Sequence, residues 1–343
     1  MRSLIRLAIV LVVACGDNGT APPDDERVGT ETYPFGPFTV APGEEVIDDC
    51  VQITLGNTDY VYVNAVELTT GPGFHHSNWF FVPEFAFPGV DGTYKCDDRD
   101  FDQAVAAIHG GVLFAQSTQT PNETQQFPQG VVIKIPPRSK IVTQIHLLNP
   151  TDNTLQLTPD IKVTYVRAAE VTTTLTGVSF QNAALALPPN MASRFSVECD
   201  LAPKHEMLIG RPVDFKLYYA LAHYHELGTG LSVEAVKPDG TTRAIYSTQS
   251  AVGEPLGGVL DPQFDMAGFT KLRFSCDFYN PRSTTVRWGV GEQEMCVFLA
   301  FSDSTYNWGG GVLERQPPQN PVLVGDTMTY TNPCVVFATD GSR

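Results

Sequence analysis

Five of the seven histidines stand in three short groups along the chain, a distribution that an even scatter would not produce. The most informative group is His223 and His225, which end an alternating apolar segment at residues 214–225. The alternation predicts a β-strand, and side chains two residues apart on a strand share a face, roughly 6–7 Å from each other. Two imidazoles at that distance can bind one metal ion. A lone His-x-His pair is a weak indication of a metal site, so the other groups matter.

The second group is the adjacent pair His75 and His76, and the third is His146. Neighbouring residues on a regular strand point to opposite faces, so His75 and His76 can share a metal ion only at a bend or a bulge. The sequence Gly-Pro-Gly at residues 71–73 directly precedes the pair and predicts such a distortion. Alternatively, one ring lies in a core and the other in solvent, and the sequence alone leaves both arrangements open.

Met295 adds a thioether to the candidate ligands. Imidazole binds copper, zinc, iron and nickel, whereas a thioether favours cuprous copper and zinc seldom binds methionine. A set of His223, His225 and Met295 therefore favours copper. Met295 also begins the segment 295–301, which alternates like a strand, so the alternative role of a core side chain stays open.

The positions of these residues depend on the strands that hold them. Strand-like segments recur between turns rich in proline, glycine and asparagine, at residues 51–55, 60–68, 131–135, 140–148, 162–167, 195–199, 214–225, 231–236, 270–278 and 295–301. The best helical candidate is short, at residues 100–108. The pattern predicts an all-β protein with two tandem antiparallel β-sandwich domains of the jelly-roll type, residues 35–169 and 170–343.

The first residues predict export. Arg2 and Arg6 are followed by an apolar run that is too short to span a membrane, and Val-Val-Ala before Cys15 resembles a lipobox. We therefore expect a lipoprotein signal peptide at residues 1–14, a lipid anchor on Cys15 and a flexible tether at residues 15–34. The protein would be an exported bacterial lipoprotein, periplasmic or anchored at the outer membrane or cell surface.

Net charge and cysteine content allow two further predictions. The formal net charge of −16, without any basic stripe, disfavours binding to nucleic acid. Six cysteines follow Cys15, and an even number in an exported protein predicts disulfide bonds. Six cysteines allow about fifteen pairings, and spacing alone leaves them open.

The order of the motifs, His-His, then His, then His-x-His, then Glu-Met-Cys, resembles the copper type II, ascorbate-dependent monooxygenases, the family of peptidylglycine α-hydroxylating monooxygenase and dopamine β-monooxygenase. The resemblance extends over residues 35 to 337 and includes Gln144, two residues before the third histidine. It implies two copper ions that face each other across an inter-domain cleft. The electron-supplying copper would be bound by His75, His76 and His146. The oxygen-binding, catalytic copper would be bound by His223, His225 and Met295.

The resemblance also implies an activity and a disulfide pattern. The family uses O₂ and an external electron donor, ascorbate, to hydroxylate a C–H bond of a small-molecule substrate. Three disulfides of the family match the cysteines here, namely Cys50–Cys96, Cys199–Cys334 and Cys276–Cys296.

The chain differs from the peptide-hydroxylating members of the family at three positions of the expected substrate site. Leu221 stands where peptide-hydroxylating members carry an arginine for the substrate carboxylate, and Val297 and Leu299 replace an asparagine and a tyrosine. Burying an unpaired carboxylate against three apolar side chains would be costly. We therefore expect a neutral or lipophilic small molecule in place of a glycine-extended peptide.

Two other functions are compatible with the sequence. One is a non-catalytic copper-binding or copper-buffering protein on the same scaffold, and the other is a carbohydrate-binding or protein-binding β-sandwich with incidental histidines. The remaining two histidines are not expected to be ligands. His109 is predicted to be structural or on the surface, and His205 to lie in a solvated loop.

Overall fold

A computed structural model describes residues 27–314 and 321–341. The strands of the first half are β1 (Gly29–Pro34), β2 (Phe38–Val40), β3 (Glu45–Thr54), β4 (Val61–Thr69), β5 (Phe74–Pro83), β6 (Gly92–Lys95), β7 (Gly111–Ala115), β8 (Asn122–Gln126), β9 (Val131–Ile135), β10 (Ser139–Leu148), β11 (Leu155–Leu157) and β12 (Asp160–Val166).

The strands of the second half are β13 (Thr173–Asn182), β14 (Ala186–Leu187), β15 (Met191–Asp200), β16 (Lys216–His223), β17 (Gly228–Val236), β18 (Thr242–Thr248), β19 (Gly257–Asp265), β20 (Lys271–Asn280), β21 (Val286–Arg287), β22 (Val297–Ser302), β23 (Tyr306–Val312), β24 (Val322–Val324), β25 (Thr327–Pro333) and β26 (Val335–Asp340). The helices are α1 (Gln103–His109) and α2 (Ala202–Ile209), with 3-10 turns at Cys96–Arg99 and Ala168–Glu170.

The predicted all-β class and its β-sandwich architecture are confirmed. Every predicted strand segment is found, and the bounds of β9 agree with the prediction at both ends. β16 is shorter at both ends than the predicted segment 214–225. It begins at Lys216 and ends at His223, so His225 follows the strand.

In the first half, a five-stranded sheet in the order β6-β3-β10-β5-β7 lies against strands β12, β4 and β9 of a longer sheet. Apolar side chains from both sheets fill the space between them, including Val63 of β4, Trp79 of β5 and Ile141 of β10, none of which has any exposed surface. Buried and half-buried residues alternate along most of β4, whereas β5 and β10 are buried at nearly every position.

In the second half, a six-stranded sheet in the order β18-β17-β20-β15-β25-β24 covers the other end of the long sheet. The core between them includes Phe195 of β15, Phe274 of β20 and Phe298 of β22, all fully buried.

The two halves share one continuous sheet. Its strands follow the order β1-β12-β4-β9-β13-β22-β16-β19, with β8 paired to β4, β23 paired to β13, and β26 paired to β23. β9 of the first half pairs in parallel with β13 of the second, from Val131 opposite Thr173 to Ile133 opposite Leu175. The proposed domain division at residue 170 stays a prediction, since hydrogen bonds of the sheet cross it.

The three disulfides expected from the family resemblance are confirmed, namely Cys50–Cys96, Cys199–Cys334 and Cys276–Cys296. Three such bonds indicate an oxidising compartment. Among the described residues, no helix has both the length and the apolar character needed to cross a membrane.

Two local predictions are wrong. The tether was expected to reach residue 34, but Gly29–Pro34 forms β1, which pairs with β12 and contains the strand-favouring residues Thr and Tyr.

His205 was expected in a solvated loop, yet it lies in α2 with 1% of its surface exposed. Its ring stacks on Trp308 and its Nδ1 donates to the Arg211 carbonyl, at 2.8 Å. The predicted signal peptide and Cys15 lie outside the described residues.

The short helix is placed nearly as predicted. α1 begins at Gln103, after Asp102 accepts a hydrogen bond from the Val105 backbone N–H at 2.9 Å, which caps the helix. His109 ends the helix and is exposed, in agreement with its expected surface role.

The Cys276–Cys296 bridge yields a stability prediction, because it joins β20 of the six-stranded sheet to the residue before β22 of the long sheet. Both sulfurs belong to fully buried residues. Replacing both cysteines by alanine should lower the free energy of unfolding by about 2–4 kcal/mol. Urea denaturation under non-reducing conditions measures this, and an unchanged midpoint and slope would contradict it.

Candidate metal centre

An irregularity in the pairing of β5 with β10 brings the first three histidines together. His146 lies opposite His76, but Leu147 lies opposite Phe74, so no residue of β10 lies opposite His75. An unpaired extra residue bends a strand and re-aims its side chains. The bend predicted from the Gly-Pro-Gly sequence is therefore present as a β-bulge. The bulge lets adjacent histidines converge, with 2.9 Å between the Nδ1 atoms of His75 and His76.

The His-x-His pair lies where β16 leaves the long sheet. His223 is the last residue of the strand and lies opposite Val297 of β22. His225 follows the strand and is held by Glu294, whose buried carboxylate accepts hydrogen bonds from the backbone N–H groups of His225 at 3.0 Å and Leu227 at 2.7 Å. Glu294 thus positions the turn that carries His225.

All five histidine rings lie in one cluster. Within the first set, the His75 and His146 ring centroids are 4.3 Å apart, and within the second set those of His223 and His225 are 5.4 Å apart. The two sets also touch each other, with centroid distances of 4.7 Å from His76 to His223 and 5.3 Å from His75 to His225. The structure therefore differs from the expected pair of sites separated by an open cleft.

The closest group of ligand atoms mixes the two expected sets. Nitrogen atoms of His75, His76 and His225 all lie within 4.8 Å of one another. The cause is the shared sheet, which fixes β16 beside the first half instead of leaving a hinge between the halves.

Burial keeps these imidazoles neutral. Desolvation, followed by the nearby rings, lowers the pKa of His75 to about 2 and holds that of His76 well below its usual value. Burial likewise lowers the pKa of His223 to about 3 and that of His225 to about 4, and it lowers the pKa of His146. Neutral imidazole is the form that binds a metal ion.

Two ring nitrogens have the properties of metal ligands. His225 Nδ1 lies 2.8 Å from the Gln293 carbonyl, which can only accept, so Nδ1 carries the proton and Nε2 carries the lone pair. His146 Nε2 lies 2.7 Å from a Glu45 carboxylate oxygen, which leaves the lone pair on Nδ1. His225 Nε2 and His146 Nδ1 are buried and have no hydrogen-bond partner among the described residues. Outer carboxylate or carbonyl partners of this kind are typical of metal-binding histidines.

Met295 is half-buried and lies in the wall of a cavity between the two halves. The cavity has a volume of about 470 Å³, and two histidines of the cluster, His76 and His223, also line it. Val297 and Leu299 of β22 also belong to the wall.

The third member of the predicted apolar trio lies on the same sheet face. Leu221 is directly opposite Leu299, two residues from the His223–Val297 pair, and it is buried. Thus the three positions at which the chain departs from the family are neighbours, and no charged side chain of the described residues lines the cavity.

A segment of the first half contacts both histidine sets, and it was not predicted from the sequence. Residues 116–120 follow β7; Gln119 donates a backbone hydrogen bond to the His75 carbonyl at 2.6 Å, and the Thr118 hydroxyl donates to the Tyr224 carbonyl at 2.9 Å. Its residues are short, polar and mutually bonded, which is typical of any loop, so only the fold reveals this role.

Glu123 of β8 completes the contact between the halves. The residue has 2% of its surface exposed. Its carboxylate accepts a hydrogen bond from the Ser117 hydroxyl at 2.6 Å and another from the Gly257 backbone N–H. The Ser117 oxygen in turn accepts one from the Leu256 N–H at 2.7 Å. Burial raises the pKa of Glu123 to about 7, despite these hydrogen bonds.

This raised pKa gives a pH prediction with a defined sign. A carboxyl whose folded pKa exceeds its unfolded value of 4.5 contributes stability that is present below pH 4.5 and is lost as the pH rises through about 7. Relative to Glu123→Gln, the wild type should therefore lose about 1–3 kcal/mol of unfolding free energy between pH 5 and pH 8. Urea denaturation at both pH values tests this, with Glu206→Gln, an exposed change on α2, as the control. Parallel pH profiles for wild type and Glu123→Gln would refute the prediction.

Comparison with known proteins leaves the family open. No protein-family model matches the chain, and no curated protein matches it. Among solved structures, the major capsid protein P2 from bacteriophage PM2 covers 80% of this chain and 97% of its own, with 9% identity and a TM-score of 0.32. PNGase F, a glycosylasparaginase from Flavobacterium meningosepticum, covers 90% and 99%, with 8% identity and a TM-score of 0.33. These likenesses are too distant to carry a functional argument.

Proposed function

We propose that this chain is a copper-dependent monooxygenase that uses O₂ and an external electron donor to hydroxylate a C–H bond of a neutral or lipophilic small molecule. The observation that carries the proposal is the meeting of five buried, neutral histidines from both halves, two of which, His76 and His223, line an uncharged cavity together with Met295. A cluster of this kind costs free energy in the absence of a ligand, because buried polar nitrogens are left without partners.

The donor set favours copper among the metals that imidazole binds. His75, His76 and His146 would hold the electron-supplying copper. His223, His225 and Met295 would hold the catalytic copper, where the thioether adds selectivity for the cuprous state. When bound, copper supplies one-electron redox chemistry and an open position for O₂.

The chain's own residues supply position and environment. Glu294 fixes the turn of His225, and Glu45 orients His146 through a 2.7 Å contact with Nε2. Val297 and Leu299 give the wall that also contains His223 apolar surface, which disfavours bound water. Without a charged side chain in that wall, a charged substrate would lose its hydration uncompensated, which supports a neutral one.

We also propose the cellular setting from the sequence. The three disulfides fit export, and the lipobox-like sequence would place a lipid anchor on Cys15, holding the enzyme to a membrane in the periplasm or at the cell surface. The physiological reductant need not be the family's ascorbate, although ascorbate is the donor to test first.

A second candidate function is copper binding or buffering without turnover. It is favoured by one specific observation: the tightest group of ligand atoms, from His75, His76 and His225, combines the two expected sets. A single ion bound by this group would leave the second copper without its full ligand set, and electron transfer between two ions would not occur.

Copper stoichiometry and O₂ consumption distinguish the two functions. Wild type should bind two copper ions per chain and consume O₂ with ascorbate faster than the same concentration of free copper. Met295→Ala should keep bound metal but fall to the rate of free copper, because the thioether is lost from the catalytic site. His109→Ala, which changes an exposed histidine on α1, is the matched control and should behave as wild type.

Two results would contradict an enzymatic function. If wild type binds one ion only, or binds two without exceeding the O₂ consumption of free copper, the buffering function replaces the enzymatic one. O₂ consumption at the wild-type rate in Met295→Ala would contradict the assignment of Met295 to the catalytic copper.

A further inference from the structure

Among the neutral polar side chains in the mostly apolar wall of the cavity, that of Asn78 is only partly hydrogen-bonded. Asn78 follows His76 by two residues on β5, so the two side chains share a face of the strand, and both line the cavity. The Asn78 side-chain oxygen is buried and has no hydrogen-bond partner among the described residues. A buried acceptor without a partner is rare enough in folded proteins to require an explanation.

A chain of three amides fixes which atom of Asn78 is left over. Gln144 donates from Nε2 to the Ile47 backbone carbonyl, which can only accept. The Gln144 oxygen must then accept from Gln103 Nε2, at 3.2 Å, and the Gln103 oxygen must accept from Asn78 Nδ2, at 3.3 Å. The Asn78 oxygen is therefore the free end of the chain, and it can only accept.

The cavity wall limits what can satisfy this oxygen. Most of the lining is apolar, as at Phe80, Val112 and Trp288, and no charged side chain of the described residues belongs to it. The other polar lining residues, besides the two histidines, are neutral: Gln103, Ser179, Gln181, Asn307 and Thr339. At the outer end the wall is apolar and exposed, with 48% exposure at Ile108 and 51% at Phe337. A ligand that fits has a mainly apolar body and a neutral hydrogen-bond donor for the Asn78 oxygen.

We propose that Asn78 is a specificity-determining residue that accepts a hydrogen bond from a neutral donor, a hydroxyl or an amide N–H, on an otherwise apolar ligand of the cavity. This inference rests on the proposed function for the identity of the ligand as substrate. The donor end would lie one strand repeat, roughly 6–7 Å, from His76, and the apolar remainder would extend towards the exposed rim. Neither composition nor the family resemblance indicated Asn78.

Two isomeric probes test the proposal without any metal. The probes n-octanol and heptyl methyl ether have the same atoms and nearly the same apolar surface, but only the alcohol can donate. Binding to the metal-free, full-length protein is measured by calorimetry, with the fluorescence of Trp288 and Trp308, both in the cavity wall, as the site reporter. Wild type should bind the alcohol about fivefold to tenfold more tightly than the ether, the effect of one neutral hydrogen bond to a buried acceptor.

Variants assign that preference to Asn78. Asn78→Leu should bind both probes with equal affinity, and Asn78→Ala should do the same if the leucine variant does not fold. Ser179→Ala, which changes another polar residue of the wall, should keep the preference for the alcohol. A wild type that binds both probes equally, or neither of them, overturns the inference, as does a preference that survives in a folded Asn78 variant.

This test separates the inference from the proposed function. Probe binding depends on neither copper nor O₂, so a protein that fails as a monooxygenase can still show the Asn78-dependent preference. Conversely, a monooxygenase whose probe binding ignores the hydroxyl would keep the proposed function and lose the assigned role of Asn78.

Discussion

The sharing of β16 between two cores is the constraint on which the candidate site depends. Ala220 and Ala222 point into the core of the second half, whereas Tyr219 and Leu221 point into that of the first. His223 is the next residue in the Tyr219 and Leu221 series, so it faces the first half and meets His76 there. If β16 belonged to one sandwich only, the histidines of the two halves would be separated by solvent.

This constraint explains why the histidines can stay neutral. Both cores exclude water from the place where they meet, and desolvation is the largest cause of the lowered pKa of His75, His223 and His225. Buried nitrogens with free lone pairs destabilise the unliganded fold, and metal binding would recover part of that free energy. Folding and metal affinity are therefore coupled, because the contacts that pack the two halves together also keep water away from the histidine nitrogens.

The fold could be predicted in large part, and so could much of the candidate site. Strand-like runs between turn signals marked β9, β10 and β20 within a few residues, since apolar and β-branched residues favour strands and proline, glycine and asparagine end them. The family resemblance identified the disulfide pairs. β1 was missed because its half-exposed residues resemble a polar linker, and α2 was missed because its single buried histidine, His205, gives no amphipathic pattern.

The amino-acid sequence alone determined which residue types were available: five grouped histidines, a methionine beside a cysteine, and an apolar trio in place of polar substrate contacts. Those properties are local, so spacing and chemistry sufficed to find them. Only the tertiary structure decided that the two histidine sets adjoin, that residues 116–120 and Glu123 hold the halves together, and that Asn78 presents a free acceptor. Each of these depends on contacts between residues distant in the chain, and strand periodicity carries no information about which distant face a strand will meet.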